Sequence, residues 1–145
     1  QPDDQFDWNK LPGLSDCGDV DLAQNGFMFG WRWNLEAVPK VLELTAYANN
    51  DGTHLWSDEP LLALTRAQVD ARRPIWFRLR ISNDRDRYEF TIRTVFGGQE
   101  VTRSDRLPRA CPNQARTVNK WAGGFYFGGT SVAPQRIQAF IHEPR

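Results

Sequence analysis

Seven charged or aromatic side chains alternate with apolar residues in β-type segments, on the face opposite the apolar one. They are Arg32, Glu43, Tyr47, Trp76, Arg78, Arg80 and Arg93. Arginine binds carboxylates through two hydrogen bonds and stacks on aromatic rings. Exposed aromatic side chains are common at binding surfaces. If these strands share a sheet, the seven side chains form one surface suited to a sugar chain, with arginine for acidic sugars. The alternative is an ordinary solvated sheet face.

No catalytic set stands out from spacing alone. The two histidines, His54 beside the NDG turn and His142 near the end, are interpreted as surface residues. No nucleophile elbow accompanies a serine, and the two cysteines form neither a CxxC motif nor a Cys/His cluster, which disfavours zinc.

The segment 15–21 is rich in aspartate and could offer oxygen ligands to a calcium ion through Asp16, Asp19 and Asp21. The segment lacks the EF-hand pattern, and acidic loops are more often simply solvated. We therefore expect no cofactor, with these three carboxylates as the calcium candidates.

Cys17 and Cys111 lie in polar, loop-like segments, SDCGD and RACPN, which favours a disulfide over two separate buried thiols. Closing a loop of that size stabilises a chain by roughly 4 kcal/mol. A disulfide, together with a first residue that is Gln1 rather than Met, predicts a secreted, periplasmic or cell-surface protein.

Charge excludes some partners. The chain has 145 residues and a formal net charge of +0, which argues against nucleic acid as the main partner. No apolar run approaches the length of a membrane span. Of the 18 cationic residues, 15 are arginine. A GC-rich genome would produce the same bias without any functional reason.

Alternating apolar residues predict β-strands along most of the chain. The strands are 27–34, 41–49, 74–82, 87–94 and 136–143, with turns at 49–53 and 83–86. The one helix candidate is 64–73, which Thr65 could cap. Many short strands with almost no helix indicate a sandwich or barrel, and we expect residues 1–145 to form a single β-sandwich domain of two antiparallel sheets.

Four motifs, in the same order, resemble the jelly-roll alginate and glucuronan lyases. They are NKLPGL (9–14), GWRW (30–33), LELTAYANNDG (42–52) and WAGGFYFGGTSVAP (121–134). The chain is also similar to small bacterial secreted domains with SDCG, FGWRW and YFGG…AP. The resemblance implies a concanavalin-like β-jelly roll. It also implies β-elimination, in which a cation neutralises the uronate carboxylate while a tyrosine moves the proton.

The resemblance carries over only part of the catalytic set. Lys10 matches the lysine of KLPG, and Tyr47 matches the first tyrosine of the YAY strand. Asn49 stands at the second tyrosine, and Gly26 and Met28 stand at the family's Ser-x-Arg pair. About half of the constellation is therefore replaced.

Three functions remain open. The first is a secreted, lectin-like module that binds a polysaccharide, with uronate units as one option, across the polar sheet face. The second is a divergent lyase in which Tyr47 is base and acid and either Lys10 or an arginine neutralises the carboxylate. The third is a secreted protein-interaction or surface protein that uses the same face.

Overall fold

The computed structural model describes residues 7–115 and 122–123. The strands are β1 (Asn9–Lys10), β2 (Gly13–Ser15), β3 (Gly26–Asn34), β4 (Val41–Asn50), β5 (Thr53–Trp56), β6 (Leu62–Thr65), β7 (Ile75–Ile81), β8 (Arg87–Phe96), β9 (Gln99–Pro108) and β10 (Ala122–Gly123). The helix α1 covers Arg66–Asp70. Strands dominate and pair antiparallel in two sheets, which confirms the predicted all-β sandwich.

The larger sheet has seven strands among the described residues. Its main path runs β10-β2-β3-β4-β5, with β1 also paired to β3 and β6 also paired to β4. The turn predicted at 49–53 is a two-residue hairpin between β4 and β5. Both of its residues, Asp51 and Gly52, have positive φ, the backbone twist that tight hairpins require.

Within the described ranges, the smaller sheet has three strands in the order β7-β8-β9. The hairpin predicted at 83–86 joins β7 to β8, and Ser82 closes it through a hydrogen bond from its N–H to the Arg87 carbonyl, 2.9 Å. Strand β9 was not predicted from the sequence. Gly97 and Gly98, both with positive φ, make the tight turn from β8 into it.

The two sheets pack face to face through the apolar sides that alternation assigned to the core. Phe27 stacks on Tyr88 with ring centroids 4.4 Å apart, and Phe29 meets Phe90 edge to face at 5.4 Å. Leu44 and Ala46 join them from β4. A second, smaller cluster lies on the outer side of the larger sheet, where Trp8, Met28 and Tyr47 pack together.

The helix forms where it was predicted, although it is shorter. The Thr65 side chain accepts a hydrogen bond from the Gln68 N–H, and the Thr65 N–H donates to Gln68 Oε1, which together form a capping box. No helix in the described parts of the chain is long and apolar enough to cross a membrane.

A disulfide and a buried ion pair join the first loop to the end of β9. Cys17 and Cys111 are bonded as predicted, with Cα atoms 5.6 Å apart. Next to them Arg109 binds Asp16 through two hydrogen bonds, Nε–Oδ2 at 2.6 Å and Nη2–Oδ1 at 3.1 Å. Both side chains are fully buried. We name this unit the clasp.

One sequence-based expectation about the sheets is wrong. The strands that carry Arg32, Glu43 and Tyr47 belong to the larger sheet, while those that carry Trp76, Arg78, Arg80 and Arg93 belong to the smaller one. Because the apolar sides of the two sheets face each other, the polar sides point away from each other. The seven residues therefore form two surfaces on opposite sides of the sandwich. The strand predicted at 136–143 and the motif at 121–134 lie outside the described residues, apart from β10.

Candidate functional site

The outer face of the larger sheet gathers Lys10, Tyr47, His54 and Trp56, which we call the Tyr47 cluster. Strand register explains why they meet. Tyr47 lies opposite Trp56, and Asn49 lies opposite His54 in the β4–β5 hairpin, while Lys10 lies opposite Gly30 of β3. Directly opposed residues project on the same face of a sheet.

Lys10 and Tyr47, the two residues that the lyase resemblance matched, are in contact. The Lys10 Nζ lies 4.9 Å from the centroid of the Tyr47 ring, which is within the range of a cation–π interaction. Burial lowers the pKa of Lys10 below its usual 10.5, and the negative charge of Asp7 partly offsets that effect. The pair thus combines a desolvated cation with a phenol.

Tyr47 itself is buried, contrary to the expectation of an exposed ring. Its side chain is 3% exposed, because Trp8 and Met28 pack against it with Leu22 beside them. The open aromatic side chain of the cluster is Trp56, which is 50% exposed. The Trp56 and Tyr47 rings are nearly parallel, at 13°, with centroids 6.3 Å apart.

His54 adds a polar group at the same face. Its Nδ1 lies 2.6 Å from Asn49 Oδ1, and Asn49 Nδ2 donates to the Leu22 carbonyl at 2.7 Å. Because the Asn49 oxygen can only accept, His54 Nδ1 donates, and Nε2 carries the lone pair in the neutral ring. The cluster therefore presents the exposed ring of Trp56, the cation of Lys10 and a hydrogen-bond acceptor on His54.

Arg32 and Glu43 lie on the same face but are bound to each other. Arg32 Nε donates to Glu43 Oε2 at 2.9 Å, and Asn34 Nδ2 donates to Glu43 Oε1 at 2.8 Å. The Arg32 guanidinium also stacks 4.1 Å from the Trp8 ring. The Glu43 side chain is 8% exposed, so both of its oxygens are used within the fold. Arg32 and Glu43 were both predicted to bind a ligand, but their charged groups are engaged in contacts within the fold.

The resemblance also placed Gly26, Met28 and Asn49 in the catalytic region, and the structure brings those positions together. Gly26 lies opposite Asn49, and Met28 lies opposite Tyr47, in the β3–β4 pairing. In this chain the three positions supply no cation and no second phenol, and Lys10 from β1 contributes a cation next to the Tyr47 ring.

The four remaining predicted residues share the outer face of the smaller sheet. Trp76 lies opposite Arg93, and Arg93 stacks on it at 5.2 Å. Arg80 and Arg106 both bind the carboxylate of Glu89, Arg106 at 2.9 Å. Trp76 is 48% exposed. We call this surface the arginine face.

The calcium candidates serve other contacts. Asp16 is neutralised by Arg109 in the clasp, Asp19 accepts from Asn25 Nδ2 at 2.6 Å, and Asp21 accepts from the Ala23 N–H at 2.8 Å. Within the described ranges, one metal-sized group of His, Cys, Asp or Glu occurs, Asp16 with Cys17 and Cys111. Its two sulfurs are bonded to each other, which removes them as ligands.

Sequence reasoning missed Trp56 and the proximity of His54 to Tyr47. The signal was present, since the Asp51–Gly52 dipeptide is a strong two-residue hairpin pattern. A hairpin with that loop pairs residue 49 with 54 and residue 47 with 56, so it would have placed both rings beside Tyr47. Comparisons of the chain with protein-family models, with curated proteins and with solved structures found no match.

Proposed function

We propose that this protein is a lectin-like carbohydrate-binding module whose sugar site is the Tyr47 cluster. The observation that carries the proposal is the half-exposed indole of Trp56, which lies parallel to the buried Tyr47 ring. That tyrosine also has Lys10 and His54 beside it. Binding sites for small ligands combine an aromatic surface with a few fixed polar groups. A sugar ring stacked on Trp56 would place its hydroxyls near the Lys10 ammonium and the His54 ring.

The fixed position of Trp56 supports this proposal. An aromatic side chain loses little conformational entropy on binding if the fold already holds it in place. The buried Tyr47 ring lies beside the Trp56 ring and parallel to it. The disulfide between Cys17 and Cys111 supports an oxidising, extracytoplasmic location, where polysaccharides are available. The protein would therefore act by binding rather than by turnover.

The matched pair Trp56 and Trp76 tests the proposal. They are 50% and 48% exposed and lie on opposite faces. The protein is first screened on an array of neutral and uronate-containing oligosaccharides, and the best neutral ligand is measured by calorimetry with Trp56→Ala and Trp76→Ala. We expect Trp56→Ala to weaken binding about tenfold or more, and Trp76→Ala to leave it within about twofold. Equal affinity of Trp56→Ala and the parent protein, or no binding to any oligosaccharide, would reject the site.

A second function, polysaccharide lyase activity, is favoured by one observation, the contact between Lys10 and Tyr47. In β-elimination the C5 proton leaves, the C4–O bond breaks, and a C4–C5 double bond forms while the leaving oxygen gains a proton. Tyr47 would transfer the proton, and Lys10 would neutralise the adjacent carboxylate. The burial of Tyr47 makes the phenol less accessible than the Trp56 indole, so binding is the function we favour.

The lyase hypothesis has its own assay. Alginate or glucuronan is supplied over a wide pH range, and the ultraviolet absorbance of the unsaturated product is followed. The hypothesis expects product formation that is lost in Tyr47→Phe and Lys10→Met and kept in Lys40→Met, since Lys40 is an exposed loop residue. Absence of product with every substrate would eliminate it and would leave the binding proposal untouched.

The third hypothesis, a secreted protein-interaction or surface protein, stays a prediction from the sequence. It shares its exposed side chains with the sugar site. A protein partner that competes with the oligosaccharide for Trp56 would favour it.

A further inference from the structure

We propose that the arginine face is a second, separate binding surface, and that its ligand is a linear polysaccharide carrying negative charges. The outward positions of β7, β8 and β9 hold five arginines, at 78, 80, 87, 93 and 106, against two glutamates, at 89 and 100. The outward residues of these three described strands therefore carry a net formal charge of +3, in a chain whose total is +0. This side of the smaller sheet thus has an excess of positive charge.

The face already shows how it would hold an anion. The Glu89 carboxylate lies between Arg80 and Arg106, with the Arg106 Nη2–Glu89 Oε1 distance at 2.9 Å. Arg80 directs two N–H groups at one Glu89 oxygen, and Arg106 binds the other. Arginine binds carboxylates and similar oxyanions through several N–H groups in this way. Arg78 lies one row away, opposite Thr91, and makes no ion pair with any of the described carboxylates. It is a cation available to an added anion.

The spacing suits an extended chain. Outward residues on one strand are about 7 Å apart, since a strand rises about 3.4 Å per residue. Arg87 to Arg93 therefore spans about 20 Å along β8. Between the arginines lie hydroxyl side chains, with Ser104 donating to Thr91 Oγ1 at 3.1 Å. At one end Trp76 carries Arg93 on its ring and is half exposed, so this indole could also contact a sugar.

This composition distinguishes the ligand from other polyanions. A membrane-binding face needs apolar side chains that insert among the lipids, whereas the centre of this face holds threonine, serine and arginine. Nucleic-acid-binding domains have an overall basic charge, and this chain is neutral. An acidic polysaccharide supplies both the anions for the arginines and the hydroxyls for Thr91 and Ser104.

The test uses two double variants that remove the same charge. Arg78→Gln with Arg93→Gln removes two cations from the face. Lys40→Gln with Arg103→Gln removes two exposed cations elsewhere, because Arg103 alternates to the other side of β9. Binding to immobilised heparin and polygalacturonate is measured by surface plasmon resonance at low and at physiological salt. Dextran serves as the neutral glycan, and duplex DNA and anionic vesicles serve as the other polyanions.

We expect the parent protein to bind heparin or polygalacturonate with an affinity that falls as salt rises. The Arg78/Arg93 double variant should bind roughly tenfold more weakly, and the Lys40/Arg103 variant should bind like the parent. Absence of binding, equal losses in both double variants, or tighter binding to DNA or vesicles would overturn the proposal. Because Arg78 and Arg93 lie in the other sheet from the Tyr47 cluster, the Arg78/Arg93 variant should bind a neutral oligosaccharide like the parent, and this result separates the two proposals.

Discussion

Replacing Arg109 by methionine should destabilise the protein more than any exposed arginine substitution. Arg109→Met leaves the Asp16 carboxylate buried without its cation, since the two side chains are 0% and 1% exposed. It also removes the hydrogen bonds from Arg109 Nη1 to the carbonyls of Arg85 and Gln114, at 3.1 and 3.0 Å. Methionine fills a similar volume, so the change is mainly electrostatic.

The expected loss follows from what remains in the core. Removing one partner of a buried ion pair costs about 3–5 kcal/mol, which is a large part of the 5–15 kcal/mol that holds a typical domain folded. The control is Arg66→Met, whose salt bridge to Asp70 is 69% and 58% exposed. An exposed pair of this spacing is worth about 0.3–0.5 kcal/mol.

The assay is urea unfolding at neutral pH, followed by tryptophan fluorescence, with the free energy extrapolated to water. Arg109→Met should lower the free energy of unfolding by at least about 3 kcal/mol, and Arg66→Met by less than about 0.5 kcal/mol. If both substitutions cost the same, within about 1 kcal/mol, the buried ion pair does not stabilise the fold as described.

Two more predictions concern stability. Removing the disulfide by Cys17→Ala with Cys111→Ala should cost about 4–5 kcal/mol for a loop of 94 residues, measured in the same urea assay; a cost below about 1 kcal/mol would contradict its structural role. Burial raises the pKa of Tyr88 above its usual 10.0, and the nearby Asp16 charge adds to this effect. The folded state therefore binds more protons than the unfolded state above pH 10, and the stability that Tyr88 contributes is lost as the pH rises past that value. Tyr88→Phe should flatten the alkaline loss of stability in a pH series of unfolding curves; an unchanged slope would exclude Tyr88 as its source.

The alternation of residues predicted the faces of the strands because a strand repeats every two residues. Phe27, Phe29, Leu44 and Ala46 pack in the core as expected. The predicted outward residues also point outward. Which face of a strand is apolar depends only on the sequence of that strand, so the faces could be assigned from this sequence alone.

Sheet membership could not be predicted in the same way. Which strand pairs with which depends on contacts between distant segments, and alternation is the same whether β4 and β7 share a sheet or face each other. That is why Tyr47 and Trp76 were expected on one surface and lie on two. The burial of Tyr47 has a similar cause, since Trp8, which covers it, comes from 39 residues earlier.

The clasp contains one feature that could be predicted from the sequence and one that could not. The disulfide could be predicted because the chain has two cysteines and both lie in polar loops. The adjacent pair of Asp16 and Arg109 could not, because aspartate and arginine are common on surfaces and nothing in the sequence marks one pair as buried. The structure thereby changes Asp16 from a calcium candidate to the partner of an arginine.

The most direct test of sugar binding at the Tyr47 cluster is an NMR titration of the tryptophan indole N–H signals with the best neutral oligosaccharide from the array. The chain has six tryptophans, and each signal is assigned by substitution. We expect the Trp56 signal to shift with ligand concentration while the Trp76 signal stays in place. A shift of Trp76 alone, or no shift of Trp56 at saturation, would contradict it.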